Sequence, residues 1–402
     1  MRAQTSDLRV EIHTDLAAVE RAWRSFENSA DATPFQIFDW LATWFRIIGE
    51  PAGVKPAIVI GRFPDGGIAL LMPLAVVPSR TMRRLCWLGQ DLCDYNAPLL
   101  SRDFSQRVPP DCFLAFWRAL CARLQADPAL CFDWVEFEKM PETVGAQANP
   151  LLCLGPARNA NSAHMTRLGD DWETYYRTKR SSATRRRDRA KRKNMAAHGD
   201  INFVTANDPE DARRTLQTLM DQKSRAFTRK GIPDLFARPG YRDFFLEFAS
   251  NPATCHRAHV SRVEIGPTCA AANFAIVLGD CYYHVLASYC ESQLTRYGPG
   301  ALHLRELMAH AIGRGLRSFD FTIGDERYKL EWSDRLMKLY DYSCAATARG
   351  WLACGPSQMR RRLKRFIKQT PLLWSAASRV RSTIGALRRV QPPPSPPESG
   401  FH

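Results

Sequence analysis

Three apolar runs follow one another with almost no chain between them, at residues 256–265, 269–278 and 281–289. Each has the length of a strand, and Gly279-Asp280 between the last two is the two-residue spacer of a tight hairpin. Tyr297-Gly298-Pro299-Gly300 then breaks the pattern. Leu304, Leu307, Met308, Ala311 and Ile312 recur at helical spacing up to Gly315. The next strand, residues 318–323, puts Phe319, Phe321 and Ile323 on one face and Asp320 and Thr322 on the other. Strands, a helix and a further strand in this order predict an α/β fold with a mixed sheet flanked by helices.

The first half of the chain repeats the order. A strand at 8–13 is followed by a helix capped by Asp15 and a helix holding Trp40 and Trp44. Strands at 57–62 and 68–77 join at Asp65-Gly66-Gly67, and a helix at 113–124 leads to a strand at 133–137. A length of 402 residues suits two such units, and there is apolar material for two cores. Residues 141–163 read as a connector rich in Pro, Asn, Gly and Ala. The expected organisation is a first lobe over 1–165, a second over 166–350, a basic helical extension over 351–390 and a disordered proline-rich tail over 391–402.

The net charge of +15 is concentrated. Residues 177–193 hold ten basic side chains and one acid, and residues 360–389 hold ten more and none. Each segment must face water or an anion. Apolar positions in the first are few, so that helix, ending near Gly199, buries little; a phosphate-bearing substrate, an acidic polymer or anionic lipid suits it. In the second, Leu363, Phe366 and Ile367 share a helical face, Pro371 breaks the helix, and Leu372, Leu373 and Trp374 follow. That pattern fits an interfacial helix on anionic membrane, or a helix docked on the domain. The twelve cysteines form no C-x-x-C pair and no zinc-spaced group, so reduced thiols and no metal are expected. The first fifteen residues contain no apolar core of a signal peptide, and the longest apolar run is interrupted by Pro73. A cytoplasmic protein is expected, with peripheral contact at the inner membrane face as an option.

Two places can carry chemistry. Backbone N–H groups of Gly300, Ala301 and Leu302 at a helix start, with Arg296 and Tyr297 beside them, suit a pyrophosphate, although a plain Gly-Pro-Gly helix cap explains the same residues. Beyond the last strand, Asp320, Tyr328 and Lys329 can supply a base, an acid and a positioning charge. His284 reads as a core or groove histidine and Lys223 as a snorkelling edge residue.

Residues 181–187 (Ser-Ser-Ala-Thr-Arg-Arg-Arg), 297–300 (Tyr-Gly-Pro-Gly) and 320–329, reading D-F-x-x-G-D-x-x-Y-K, together resemble the GNAT-type acyltransferases of the CelD-like branch, associated with cellulose and exopolysaccharide biosynthesis. That branch is similar in turn to the FemABX aminoacyl transferases. The resemblance implies two tandem GNAT-like lobes, the first degenerate, with an acyl-CoA donor (acetyl-CoA foremost) and an amine or hydroxyl acceptor. On that reading Gly298 and Gly300 hold the CoA pyrophosphate; beside them the candidate residues are Arg296, Tyr297 and Ala301 for the donor, Arg185, Arg186, His284 and Tyr289 for the substrate, and Asp320, Tyr328 and Lys329 for catalysis. The usual phosphate-loop spacing Q/R-x-x-G-x-G/A puts Thr295 first, with Arg296 one place later. A FemABX-like use of aminoacyl-tRNA, or a non-catalytic membrane- or polyanion-binding role, are the alternatives.

Overall fold

A computed structural model describes residues 8–79 and 81–369. The strands are β1 (Arg9–His13), β2 (Lys55–Arg62), β3 (Ile68–Ser79), β4 (Met82–Trp87), β5 (Trp134–Pro141), β6 (Ala157–Arg167), β7 (Ile201–Thr205), β8 (Ala258–Ile265), β9 (Thr268–Leu278), β10 (Cys281–Tyr289), β11 (Ser318–Ile323) and β12 (Arg335–Ala345). They form one continuous mixed sheet in the order β1-β2-β3-β4-β5-β12-β6-β11-β10-β9-β8-β7, with the two-residue strand Leu99–Leu100 added to β3.

The order reads alike from both ends. In β1–β5 every neighbouring pair is antiparallel except β4 with β5, which is parallel. In β7–β11 every pair is antiparallel except β10 with β11. The sixth strand of each set crosses over. Strand β6 follows β5 in the chain but pairs with β11, while β12 follows β11 but pairs with β5. The two exchanged strands pair with each other at the centre. The molecule therefore consists of two tandem lobes of one topology, each a mixed sheet flanked by helices.

Residues 141–163 thus do more than connect. They contain a short hairpin, a 3-10 turn at Pro150–Leu154 and the start of β6. The polar run Arg158-Asn159-Ala160-Asn161-Ser162 hides a strand because it pairs along one edge with β12 while most of its side chains stay partly exposed beside a cavity. Strand β12 carries no clean alternation either, and the sequence does not announce it.

Each lobe has an apolar core of its own, as expected, and a further large cluster joins the lobes. Helices α1 (Leu16–Glu27) and α2 (Phe38–Trp44) of the first lobe meet α6 (Pro209–Arg229) and α7 (Tyr241–Ser250) of the second. In between, α3 (Pro110–Ala126), α4 (Trp172–Lys179) and α5 (Ser182–Ala196) follow in chain order. Trp40 is fully buried, with ring centroids of Phe244 and Phe248 at 4.6 and 5.0 Å and Phe274 at 6.3 Å. Edge-to-face aromatic packing of this kind adds to burial energy. Beside it, Arg257 from the second lobe reaches the buried carboxylates of Asp39 (3.1 Å) and Glu27 (3.2 Å), and Arg24 also pairs with Asp39 at 2.7 Å.

Helix α8 (Pro299–Gly313) covers the other face of the second lobe. Past α9 (Arg327–Trp332) and β12, helix α10 (Ala348–Gln369) runs straight through Gly355-Pro356 and docks on β12. The expected break at Pro371, the apolar residues 372–374 and the proline-rich tail lie outside the described residues, as do the side chains of Phe366 and Ile367. Among the described residues no helix is long and apolar enough to cross a membrane, and every cysteine is a free thiol.

Candidate active site between the two lobes

Strands β10 and β11 pair for only three residues, Cys281–Tyr283 against Ser318–Asp320. Beyond that they diverge. Two irregularities drive them apart. An extra residue, Val285, interrupts the β9–β10 register, and Thr322 adopts a left-handed backbone (φ 59°) where β11 slips against β6. The Thr322 hydroxyl, 3.3 Å from His284 O, ties the two strands at the apex of the wedge.

The first lobe has the corresponding wedge, and it is filled. Strands β4 and β5 pair at two positions, Arg84 with Trp134 and Leu85 with Val135. Residues 91–96 then bond to the freed edge of β5. Asn96 N donates to Lys139 O (3.1 Å), Asn96 Nδ2 to Glu138 O (3.1 Å), and Lys139 Nζ to Cys93 O (2.7 Å). Lys139 has φ 57°, the counterpart of Thr322. The chain thus occupies the place between its own strands, and the first wedge cannot receive a ligand there.

The plug has a second effect, which is to carry Asp94 and Tyr95 across to the second lobe. Tyr95 Oη donates to Asp320 Oδ1 at 2.7 Å, and Thr322 N donates to the same oxygen at 2.7 Å. Asp320 is almost fully buried, and its Oδ2 has no partner. Burial pushes the Asp320 carboxyl up to about 6, against the pull of Tyr95, the Thr322 N–H and Lys329. Burial likewise raises Asp94, whose carboxylate meets the Thr322 side chain, and holds the Tyr95 phenol protonated. Lys223, from α6, is lowered to about 8 by burial and by Lys230, and its Nζ lies 3.3 Å from Ala287 O on the freed edge of β10. It is more than a snorkelling edge residue.

Of the residues singled out from the sequence, the structure brings Asp320 and Lys329 together, while the His284 ring packs on Phe319 across the strand from Asp320. Lys329 is buried, with Nζ 2.6 Å from Ile323 O and 3.2 Å from Glu326. His284 is buried on the α8 side and held neutral, lowered to about 3 by burial and by Lys329 and Lys223. Tyr328 lies elsewhere, edge-on against Phe321 on the opposite strand face. At the mouth of the wedge, Gly298 (φ 75°) caps α8, and Tyr289 lies over Gly300, where an added Cβ would sit 3.4 Å from its ring. The expected row of three N–H donors is reduced. Those of Ala301 and Leu302 both bond to Gly298 O at 3.1 Å, because Gly298 turns its carbonyl into the helix. Pro299 has none, so Gly300 supplies the remaining N–H of that turn. Arg296 stacks on Tyr297, its guanidinium 4.7 Å from the ring centre.

The basic helix α5 is partly neutralised by the protein itself. Asp188 meets Arg305 (3.3 Å) and Tyr176 Oη (2.6 Å), and Arg192 meets Glu306 (2.5 Å). Arg186 is exposed, and Arg185 is half-buried with Nη1 unpartnered. Neither Asp94 nor Tyr95 was evident from sequence. Asp-Tyr-Asn in a loop is an ordinary turn signal, and Tyr95 meets its partner 225 residues away.

The second lobe thus holds a parallel strand pair splayed before a glycine-started helix, inside a mixed sheet. Residues 182–330 match the family described as "Acetyltransferase (GNAT) domain". Among solved structures the chain is similar to a conserved protein of unknown function from Bacteroides thetaiotaomicron, at 11% identity and TM-score 0.52, over 84% of this chain and 100% of that one. It is similar to FemX at 11% identity and TM-score 0.55, over 83% and 97%. A tandem GNAT protein from the clavulanic acid pathway aligns at 10% identity and TM-score 0.44, over 85% and 99%. These likenesses concern the fold alone. No curated protein matches the sequence. Among the described residues no group of His, Cys, Asp and Glu could hold a metal ion.

Proposed function

We propose that the chain transfers an acyl group from a CoA thioester to an amine, with the thioester in the β10–β11 wedge and the amine between the lobes. The observation that carries this reading is the buried carboxylate of Asp320, fixed at one oxygen and unpartnered at the other, beside the open wedge. An acceptor ammonium entering between the lobes meets the half-exposed Asp94 first. Loss of its proton to the Asp94–Asp320 carboxylate pair leaves a neutral amine to attack the thioester carbonyl. A base near 6 is matched to neutral pH: it is ionised, yet basic enough to accept a proton. Lys329 and Lys223 supply positive charge as the tetrahedral oxyanion forms; its collapse breaks the C–S bond, and the CoA thiolate leaves with the proton that the new amide nitrogen gives up. A cavity of about 510 Å³, with Ile323, Arg158 and Asp341 in its wall, opens nearby at the end of β11. The similarity to the CelD-like branch favours an acceptor from polysaccharide or envelope synthesis.

Donor binding is tested by calorimetry. Wild type should bind acetyl-CoA or a longer acyl-CoA saturably. Gly300→Asp should lose binding by at least about tenfold, because its carboxylate stands at the helix start where the pyrophosphate is held. No heat from any acyl-CoA with wild type would favour the second reading, an aminoacyl-tRNA donor. The FemX-like fold and the exposed cations of α5 favour that reading.

The Tyr95 contact has its own signature. Tyr95→Phe removes a donor to the ionised carboxylate, so Asp320 should titrate above its present value of about 6. The active form is the carboxylate, so the acid limb of the pH–activity profile should move to higher pH, by up to about one unit. Superimposable profiles for wild type and Tyr95→Phe would show that the contact does not tune the base.

A further inference from the structure

Helix α10 leaves an apolar stripe uncovered. Cys354 is buried against β12, with Ser343 Oγ 3.4 Å from its sulfur, and Gln358 Nε2 donates to Ser343 O at 3.2 Å. These residues define the docked side. At 100° per residue, Trp351, Leu352, Gly355, Met359 and Leu363 fall within one third of the helix circumference, adjoining that side. Trp351 is 74% exposed, Leu352 72%, Met359 66% and Leu363 56%. A Cβ at Gly355 would meet nothing. Four large side chains in one stripe of one helix are more than the scattered apolar residues of an ordinary surface.

We infer that this face docks on an anionic lipid bilayer, with Trp351 and Leu352 entering the headgroup–acyl boundary and α10 lying in the membrane plane. Charge decides between the possible occupants. Residues 360–389 carry ten basic side chains and no acid. A second copy seated on the stripe would bring one such segment against another. The chain's own residues past 369 would fold four of those cations back on the other six. An anionic surface instead attracts a segment of this charge, and an amphipathic helix with basic flanks and a tryptophan suits that boundary. The same helix walls the inter-lobe cavity through Gln358 and Arg365. Docking would hold that cavity about one helix diameter from the headgroups. The inference does not depend on the acyltransfer reading.

The test uses the full chain and vesicles of phosphatidylglycerol mixed with phosphatidylcholine, against phosphatidylcholine alone. Co-sedimentation with the anionic vesicles at low salt, weakened at high salt and absent with the neutral ones, is expected. Trp351→Glu combined with Leu352→Glu should lower partitioning by at least about a hundredfold, since each buried side chain contributes on the order of tenfold. Both side chains are solvent-exposed, so thermal unfolding and donor binding should stay as in wild type. Three results would overturn the inference. One is no sedimentation of wild type with anionic vesicles at low salt. Another is wild-type sedimentation of the double variant. The last is a concentration-dependent dimer, lost in the double variant, from a chain that ignores vesicles.

Discussion

Asp320→Asn is expected to lower transfer by about a hundred- to ten-thousandfold, the range that a positioned general base contributes. The amide fills the same space and can still accept from Tyr95 Oη and Thr322 N, so the site keeps its shape. What it loses is the capacity to take a proton at Oδ2, the oxygen that has no partner within the protein. Donor affinity should be unchanged, because the phosphate-binding turn at Gly298–Gly300 belongs to another element. The loss therefore falls on kcat and not on donor KM. Full activity in Asp320→Asn with intact donor binding would remove Asp320 from the chemistry. Asp94→Asn would then be the next variant to assay, as Asp94 is the outer member of the pair.

The largest effect on stability should come from Arg257→Ala. Arg257 is the cation that the second lobe inserts between Glu27 and Asp39 of the first, and both acids are almost completely buried. Removing one partner of a buried ion pair leaves an uncompensated charge and costs about 3–5 kcal/mol. Asp39 keeps Arg24, so Glu27 bears most of the loss, which its Phe38 N–H bond only partly offsets. Burial already raises the Glu27 carboxyl, and loss of Arg257 should raise it further. The denaturation midpoint should fall with an unchanged slope. Glu27→Gln in the Arg257→Ala background should restore part of the stability by removing the orphaned charge. A midpoint within error of wild type would mean that the lobes are held by the Trp40–Phe244–Phe248 packing alone.

Much of the second lobe was legible in the sequence because its strands alternate or run apolar, and because Gly279-Asp280 and Gly298 mark turns that need their backbone conformations. Asp320 was legible for the same reason: it is the one charged residue on strand β11, between two phenylalanines. The exchange of β6 and β12 was not. Both strands lie at the centre of the sheet, yet their polar and basic residues hide the two-residue period that marks a half-buried strand. Missing them turned a central strand into a connector. It also left the wedge of the first lobe, and the segment that plugs it, out of sight. Asp94 and Tyr95 gain their meaning only from that plug, since no local pattern links them to a carboxylate 225 residues on. The exposed stripe of α10 shows the opposite case. Helical spacing drew attention to Leu363, but Trp351 and Leu352 lie on the far side of Gly355-Pro356, and the helix runs through that pair.

The most direct test of acyl transfer at the inter-lobe site is a thiol-release assay. Purified full-length protein is incubated with an acyl-CoA series and a panel of amines, including amino sugars, and free CoA is followed with time. Thiol release that depends on the amine, saturates in both substrates and collapses in Asp320→Asn is the expected result. Release at the wild-type rate from Asp320→Asn would contradict the assignment of the site. No release from any thioester, alongside amine-dependent deacylation of aminoacyl-tRNA, would contradict the donor.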